Sequence, residues 1–384
     1  MAETWGKGPA EAAPAVAEPP EPPEVKARAK HTCPACGAEA TWNPTKHALV
    51  CGFCGTEAPG ELSTDASEIK ELDLAETLRS IPDSQRGWQA VRTSVKCQSC
   101  HAISVFDPKH QAKSCEFCGS SSLVPYEQVK DSFSPGSLLP MKISETKARE
   151  GIRAWYGTRW FAPNKLKKAA LTDTVKGLYI PYWTFDAQAY ANWTAESGYH
   201  YYETEEYTDS SGNRQTRQVQ RTRWEHSSGS LDNFFDDDLV PASLGVQAKH
   251  LRAIEPYPTQ ELVPYDAGYL SGWVVERYQI DLIAAAQRSR QQMDQQVRQL
   301  CSREVPGDTQ RNLQVNTRYS DQTFKHILAP LWMLTYRYGT TNYQVVMNGY
   351  TGSISGEYPK SWVKIAFAVL GVLIFVMIVL AAFS

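Results

Sequence analysis

Cys33-Pro34-Ala35-Cys36 and Cys51-Gly52-Phe53-Cys54 are two cysteine pairs set fourteen residues apart, and the frame recurs as Cys97-x-x-Cys100 and Cys115-x-x-Cys118. All four positions are displaced by 64 residues, so a duplicated C-x2-C-x14-C-x2-C unit uses eight of the nine cysteines. A two-residue gap folds into a tight knuckle that offers both thiolates to one ion. Two knuckles then close a tetrahedron with metal–sulfur distances of about 2.3 Å. Gly37, Gly55 and Gly119 directly follow second cysteines, where a turn often needs positive φ, and His101 takes that place in the remaining knuckle, Cys97–Cys100. Disulfides and redox pairs are the rival readings. The N-terminus lacks the apolar core of a secretory signal, and a redox pair has no reason to occur four times in one frame. The expectation is two structural zinc ions, one on Cys33, Cys36, Cys51 and Cys54 and one on Cys97, Cys100, Cys115 and Cys118.

Outward from these ribbons the chain of 384 residues divides into further segments. Residues 1–30 are a Pro-, Ala- and Glu-rich tail with almost nothing to bury, expected to be disordered. Ribbon one occupies 31–60 and ribbon two 95–130. Between them, 61–94 reads as a helical linker, with Ile69, Leu72 and Ala75 near one face of a helix from Asp65 to Ser80 that Pro82 ends. Residues 131–358 are the one stretch long enough for a substantial core. The 11 tryptophans and 19 tyrosines of the chain favour β-rich packing, and an antiparallel α+β domain is expected. It should contain helices at 145–157, 163–170 and 278–300. Long strands should run on either side of the turn Asp209–Asn213, and Asn348-Gly349 signals a hairpin. Lys176-x4-Pro181-x-Trp183 echoes Lys325-x4-Pro330-x-Trp332, which points to two related β units.

Residues 362–384 carry the membrane signal. Ile365–Phe383 is nineteen residues without a charge or a proline, about 29 Å as a helix, against a hydrocarbon core of about 30 Å. A single-pass transmembrane helix through residues 365–383 is expected. Lys360 and Lys364 on its N-terminal side place the bulk of the chain on the cytoplasmic face of the cell's inner membrane.

With these parts in place, the chain resembles a bacterial family of zinc-ribbon, single-pass membrane proteins. The resemblance is carried by Cys97-x-x-Cys100, by Cys115-x-x-Cys118-Gly119-Ser120 and by Leu139-Pro140-Met141-Lys142. It continues through Trp160-Phe161-Ala162-Pro163-Asn164-x-Leu166 and Gly177-Leu-Tyr-Ile-Pro181-Tyr-Trp183-Thr-Phe-Asp186, and covers about 95–358. Members are often labelled primosomal replication-restart helicases. Some are associated with phage-shock-type membrane stress systems beside stomatin/flotillin-like proteins. The resemblance therefore implies protein partners of that kind and a role in envelope stress.

The helicase label fails on residues, because the chain has no G-x-x-x-x-G-K-[ST] loop to cradle phosphates. Nucleic-acid binding fares little better. Ribbon one sets Lys46 against Glu39 and Glu57, and ribbon two sets Lys96, Lys109 and Lys113 against Asp107 and Glu116, before each tetrathiolate zinc centre adds about −2. Phosphate contacts supply most non-specific affinity, and these ribbons lack the charge for them. The basic run Arg214, Arg217, Arg221 and Arg223 is expected to pair across its hairpin, with Glu205 opposite Arg217. Asp236-Asp237-Asp238 before Pro241 reads as a solvated turn. Ile283, Ala286, Arg290, Met293, Val297 and Leu300 form a coiled-coil-like seam, broken by Arg290, on the helix at 278–300; it is expected to pack on the domain's own sheet, with a partner helix as the alternative, and Cys301 reads as a lone thiol near its end. His200, His226, His250 and His326 have no nucleophile or acid at a telling distance, so no enzyme is expected. The reading is a membrane-tethered adaptor that recruits or organises protein partners; the alternative is a membrane-associated nucleic-acid-binding protein without a motor.

Overall fold

The computed structural model describes residues 32–57, 62, 64–80, 93–99, 102–106, 114, 115, 117, 120, 122–125, 133–163, 175–208, 210, 213–339 and 341–382. The tail, the expected helix at 163–170 beyond Pro163, most of the turn at 209–213, and Cys100 and Cys118 lie outside them.

The strands in chain order are β1 (Ala40–Asn43), β2 (Ala48–Cys51), β3 (Leu72–Asp73), β4 (Thr93–Cys97), β5 (Ile103–Phe106), β6 (Leu123–Pro125) and β7 (Ser137–Leu138). They continue with β8 (Lys176–Thr208), β9 (Arg214–Pro241), β10 (Val263–Pro264), β11 (Val274–Glu276), β12 (Thr309–Tyr338), β13 (Thr341–Asn348) and β14 (Ile354–Gly356). The helices are α1 (Leu74–Ser80), α2 (Glu145–Gly157), α3 (Ala248–Ile254), α4 (Leu282–Glu304) and α5 (Trp362–Ala382).

Strands β1 and β2 form a small hairpin sheet, and the other twelve make one large sheet built on β8 and β12. That sheet is mixed, which corrects the antiparallel expectation: β7 runs parallel to β12, and β11 parallel to β8. The ribbon expected at 95–130 is built into it, since β4, β5 and β6 continue from β11. The expected helix at 65–80 is confined to α1, because Leu72 and Asp73 pair with Phe324 and Thr323 on β12. Here a sheet edge outcompetes a weak helical periodicity.

The echo of Lys-x4-Pro-x-Trp is the visible part of a duplicated unit. One copy is β7-α2-β8-β9 and the other β11-α4-β12-β13. Ser137 and Leu138 of β7 pair with Ile327 and Leu328, while Val274 and Val275 of β11 pair with Leu178 and Tyr179, the positions 149 residues earlier. After each hairpin the main chain closes the same way. Ala242 N–H donates to Pro181 O at 3.0 Å, and Gly349 N–H to Pro330 O at 2.9 Å. Gln279 N–H then donates to Ala242 O at 2.8 Å, and Lys142 N–H to Gly349 O at 3.0 Å. Each tryptophan locks the junction, Trp183 Nε1 donating to Ile280 O and Trp332 Nε1 to Ile143 O, both at 2.9 Å. The next residue in each copy, Asp281 or Ser144, caps a helix with its side chain.

Helix α4 covers the middle of β8, where Ala187, Ala189, Ala191, Trp193 and Ala195 alternate inward. Its buried stripe is Leu282, Ala285, Ser289, Met293, Val297 and Cys301, so of the expected seam Met293 and Val297 are buried and Ala286 packs against the core partly buried. Ile283 is half exposed, and Cys301 is fully buried, its thiol pushed up by burial. Beyond Gly198, β8 loses β12 and pairs with β9 alone. Tyr199–Thr208 and Arg214–Arg223 thus form a free-standing two-stranded arm about 33 Å long. Its register sets Glu205 opposite Arg217, as the turn at 209–213 implies.

Helix α5 is the one helix among the described residues long and apolar enough to cross a membrane. None of its twenty residues Trp362–Ala381 is buried, and only its first turns touch the domain.

Candidate metal centre

Ribbon one is built from two knuckles and the β1–β2 hairpin between them. In each knuckle the first cysteine's N–H donates to the carbonyl five residues on, Cys33 to Ala38 at 2.7 Å and Cys51 to Thr56 at 2.9 Å. A return bond closes the loop, Gly37 N–H to Cys33 O and Gly55 N–H to Cys51 O, with both glycines at positive φ. This geometry aims four sulfurs at one point. Cys33, Cys36, Cys51 and Cys54 lie within 4.8 Å of one another, with Cys33–Cys54 and Cys36–Cys51 sulfurs 3.5 Å apart. A tetrahedral ion with 2.3 Å bonds sets its sulfurs about 3.8 Å apart, so the cluster fits a single metal ion with little movement. Hydrogen bonds from the Thr56 hydroxyl and N–H hold the Cys54 thiol down, to about 6, while the crowding of the other three sulfurs pushes Cys36 up, to about 12.

Behind the sulfurs the ribbon is fixed to the large sheet. Trp42 on β1 is buried, packs its ring at a tilt against Tyr269 at 4.8 Å and donates from Nε1 to Met141 O at 2.9 Å. Ser271 Oγ donates to Ala40 O at 2.8 Å. Ala40, Trp42 and Leu49 therefore belong to the same core as α2 and Trp332.

In the second ribbon, Cys97 and Cys115 repeat the knuckle bond: Cys97 N–H donates to Ala102 O at 2.9 Å, and Cys115 N–H to Ser120 O at 2.7 Å. Ser99 N–H and Phe117 N–H point at the Cys97 and Cys115 sulfurs from 3.4 Å. Both cysteines are buried, with Phe117 beneath them in the core that holds Tyr182 and Leu331. Cys100 and Cys118, expected to complete this set, lie outside the described residues.

Asp236–Asp238 is not a solvated turn. The stretch lies within β9, at a bulge where Asp237 takes φ 52° and β8 shifts register between Phe185 and Ala187. There Asp186, Asp236 and Asp237 converge within 4.8 Å. The charge they gather is met by Lys325, whose ammonium lies 2.8 Å from Asp237 Oδ1 and 3.0 Å from Glu71 Oε1. Thr323 Oγ1 donates to Asp186 Oδ2 at 2.8 Å, and the Lys325 hydrogen bond holds the Glu71 carboxyl below its usual range. Asp238 turns away to accept from Ser289 Oγ at 2.6 Å and Gln292 Nε2 at 3.2 Å on α4. Reasoning along the chain missed this network because its cation comes from a distant strand.

The four histidines stay apart in space as in sequence. His200 pairs with Thr222 and His250 with Ser355, while His226 sits opposite Glu196 on the sheet. His326 stacks on Trp183 at 4.7 Å, with Nδ1 2.9 Å from Phe133 O. Burial pushes its pKa down to about 4. The folded state thus holds His326 neutral while the unfolded chain takes a proton below about 6.5. Its contribution is complete above that pH and is lost as pH falls toward 4. Comparing His326→Gln with the parent by denaturant unfolding should show the parent losing about 2 kcal/mol more between pH 7 and pH 5. Parallel pH curves would contradict a buried neutral imidazole.

Open clefts of about 420 and 670 Å³ lie between α4 and β12, sharing Arg298 on their walls. Arg298 is spent on Leu313 O at 3.0 Å.

No family model matches the chain, and no solved structure matches it. Among curated proteins it is similar to the uncharacterized protein YdjG of Bacillus subtilis (strain 168), at 25% identity over 249 residues, covering 62% of this chain and 68% of that protein.

Proposed function

We propose that this chain is a membrane-tethered adaptor whose two cysteine ribbons each hold a structural zinc ion and whose α+β domain recruits protein partners at the bilayer. The observation that carries the reading is α5, a helix of twenty residues, uncharged beyond Lys364, none of which the domain buries. Burying such a helix in lipid removes a surface that water would otherwise have to solvate. Lys360 and Lys364 at its N-terminal end favour a cytoplasmic domain at the inner membrane. Tethering raises local concentration, so even weak docking on the domain becomes effective.

Cys33, Cys36, Cys51 and Cys54 would hold one ion, and Cys97 and Cys115 with Cys100 and Cys118 the other. Zinc there supplies cross-linking and no turnover, since four thiolates leave it no open position. The arm supports protein rather than nucleic acid as partner. Two of its four arginines are paired within it, Arg217 with Glu205 at 3.1 Å and Arg221 with Glu203 at 3.2 Å, and Arg223 pairs with Glu225 at its base, while Tyr201, Tyr202 and Tyr207 stay exposed. Exposed tyrosines are favoured at protein interfaces, and neutralised arginines are poor phosphate ligands. Envelope stress is the setting that the family resemblance suggests.

Two measurements test this. Full-length protein should remain with membranes through an alkaline wash, and a chain stopped at Lys360 should be released from them. Crosslinking in native membranes should capture a specific membrane-associated protein, with capture lost when Tyr201, Tyr202 and Tyr207 are all changed to serine. Capture of nucleic acid alone would sink the adaptor reading.

A further inference from the structure

The loop Arg159–Ala162 lies outside both the cysteine centre and the arm, yet it is joined to α5 by three hydrogen bonds. Ser361 N–H donates to Phe161 O at 2.8 Å. The Lys364 ammonium, in the first turn of α5, donates to Trp160 O at 3.0 Å and Ala162 O at 2.8 Å. Ala162 and Pro163 are buried, so the loop is anchored from behind. Its tip faces outward: Trp160 is 60% exposed, and Trp362, which opens α5, is 80% exposed. Two bare indoles therefore flank the point where the apolar helix leaves the domain.

A tryptophan so exposed costs free energy in water, and among the described residues its ring contact is with Phe161, edge-on at 5.0 Å, which leaves it largely bare. An indole combines a large apolar ring with one N–H donor, which suits the boundary between hydrocarbon and headgroups. The charge along the two stretches that meet here, 151–172 and 358–384, has one sign. Arg159 stacks its guanidinium over Trp155 at 4.7 Å, Arg153 and Lys360 are exposed nearby in sequence, and no Asp or Glu occurs between Glu150 and Asp173 or after Glu357. A membrane surface is the one partner that lies beside the first turn of a bilayer-crossing helix and accepts both indoles and cations.

We infer that Trp160 is a second membrane contact, seated at the headgroup boundary beside α5, so that the domain is held against the bilayer and not merely hung from it. This rests on the reading of α5 as membrane-spanning. Bonding of Lys364 to the loop carbonyls is what makes the attachment stiff: the ammonium at the start of the helix is a bracket between anchor and domain.

The test uses full-length protein in vesicles of phosphatidylcholine with phosphatidylglycerol and a photoreactive benzoylphenylalanine in place of one residue at a time. The positions are Phe367 on α5, Trp160, and Tyr202 on the distant arm. Irradiation followed by mass analysis should find lipid adducts at 367 and 160 and none at 202. Lipid captured at 367 but not at 160, or at 202 as readily as at 160, would overturn the contact while leaving the span intact. A protein–protein adduct at 160 in place of lipid would overturn it as well. Absence of lipid at 367 would remove the spanning helix, and this inference with it.

Discussion

Trp183→Ala is expected to destabilise the protein by about 4 kcal/mol, and Trp332→Ala by a similar amount, in denaturant unfolding of the full chain in detergent. Trp183 is fully buried among Phe133, Tyr278, Phe324 and His326. Its removal leaves a cavity the size of an indole and strips the Ile280 carbonyl of its donor. Trp332 does the same for Ile143 in the other core, against Trp273. Trp→Phe at either site keeps most of the packing and deletes the hydrogen bond, so a loss of about 1–2 kcal/mol is expected. The two positions should respond alike. A cost below about 1 kcal/mol at one tryptophan and several at the other would show that the duplicated junctions are not equivalent.

The second large effect concerns the metal. Purified full-length protein should carry two zinc ions by elemental analysis, and Cys51→Ser or Cys100→Ser one each. Structural zinc in small fingers is worth about 10–16 kcal/mol at neutral pH, more than a typical domain's whole stability. Chelation should therefore unfold ribbon one outright. The amides of β1 and β2 should lose protection from hydrogen exchange while those of β8 and β12 under α4 keep it, because the core around Trp183 and α4 contains no residue of either ribbon. One zinc in the parent protein would confine the metal to Cys33, Cys36, Cys51 and Cys54. None would remove the ribbon reading.

Much of this was legible in the chain wherever the signal is local. Knuckle spacing is fixed by the reach of a two-residue loop, so the four-sulfur cluster follows from the letters. The turn at 209–213 fixes the arm's register, and Glu205 therefore faces Arg217. The duplication was legible only in part. Lys, Pro and Trp recur, but most of the shared bonds are made by the main chain of Ala242 and Gly349 or Gln279 and Lys142, which have no letters in common. Long-range compensation was hidden altogether. Three consecutive aspartates look fit for water alone until Lys325 arrives from β12. The stripe of α4 was disguised by Ser289 and Cys301, which are buried, and by Ile283, which is not.

The crossed placement of β7 and β11 has one more consequence. Each copy of the repeated unit completes the sheet of the other, β7 lying on β12 and β11 on β8. Neither half can close its own edge. The domain has the topology of a strand-exchanged homodimer joined end to end, with the two-fold axis now running through a single polypeptide. Association between the halves does not depend on protein concentration, and the halves are free to differ: the first carries both the arm, between β8 and β9, and the loop bonded to the start of α5, and the second carries neither.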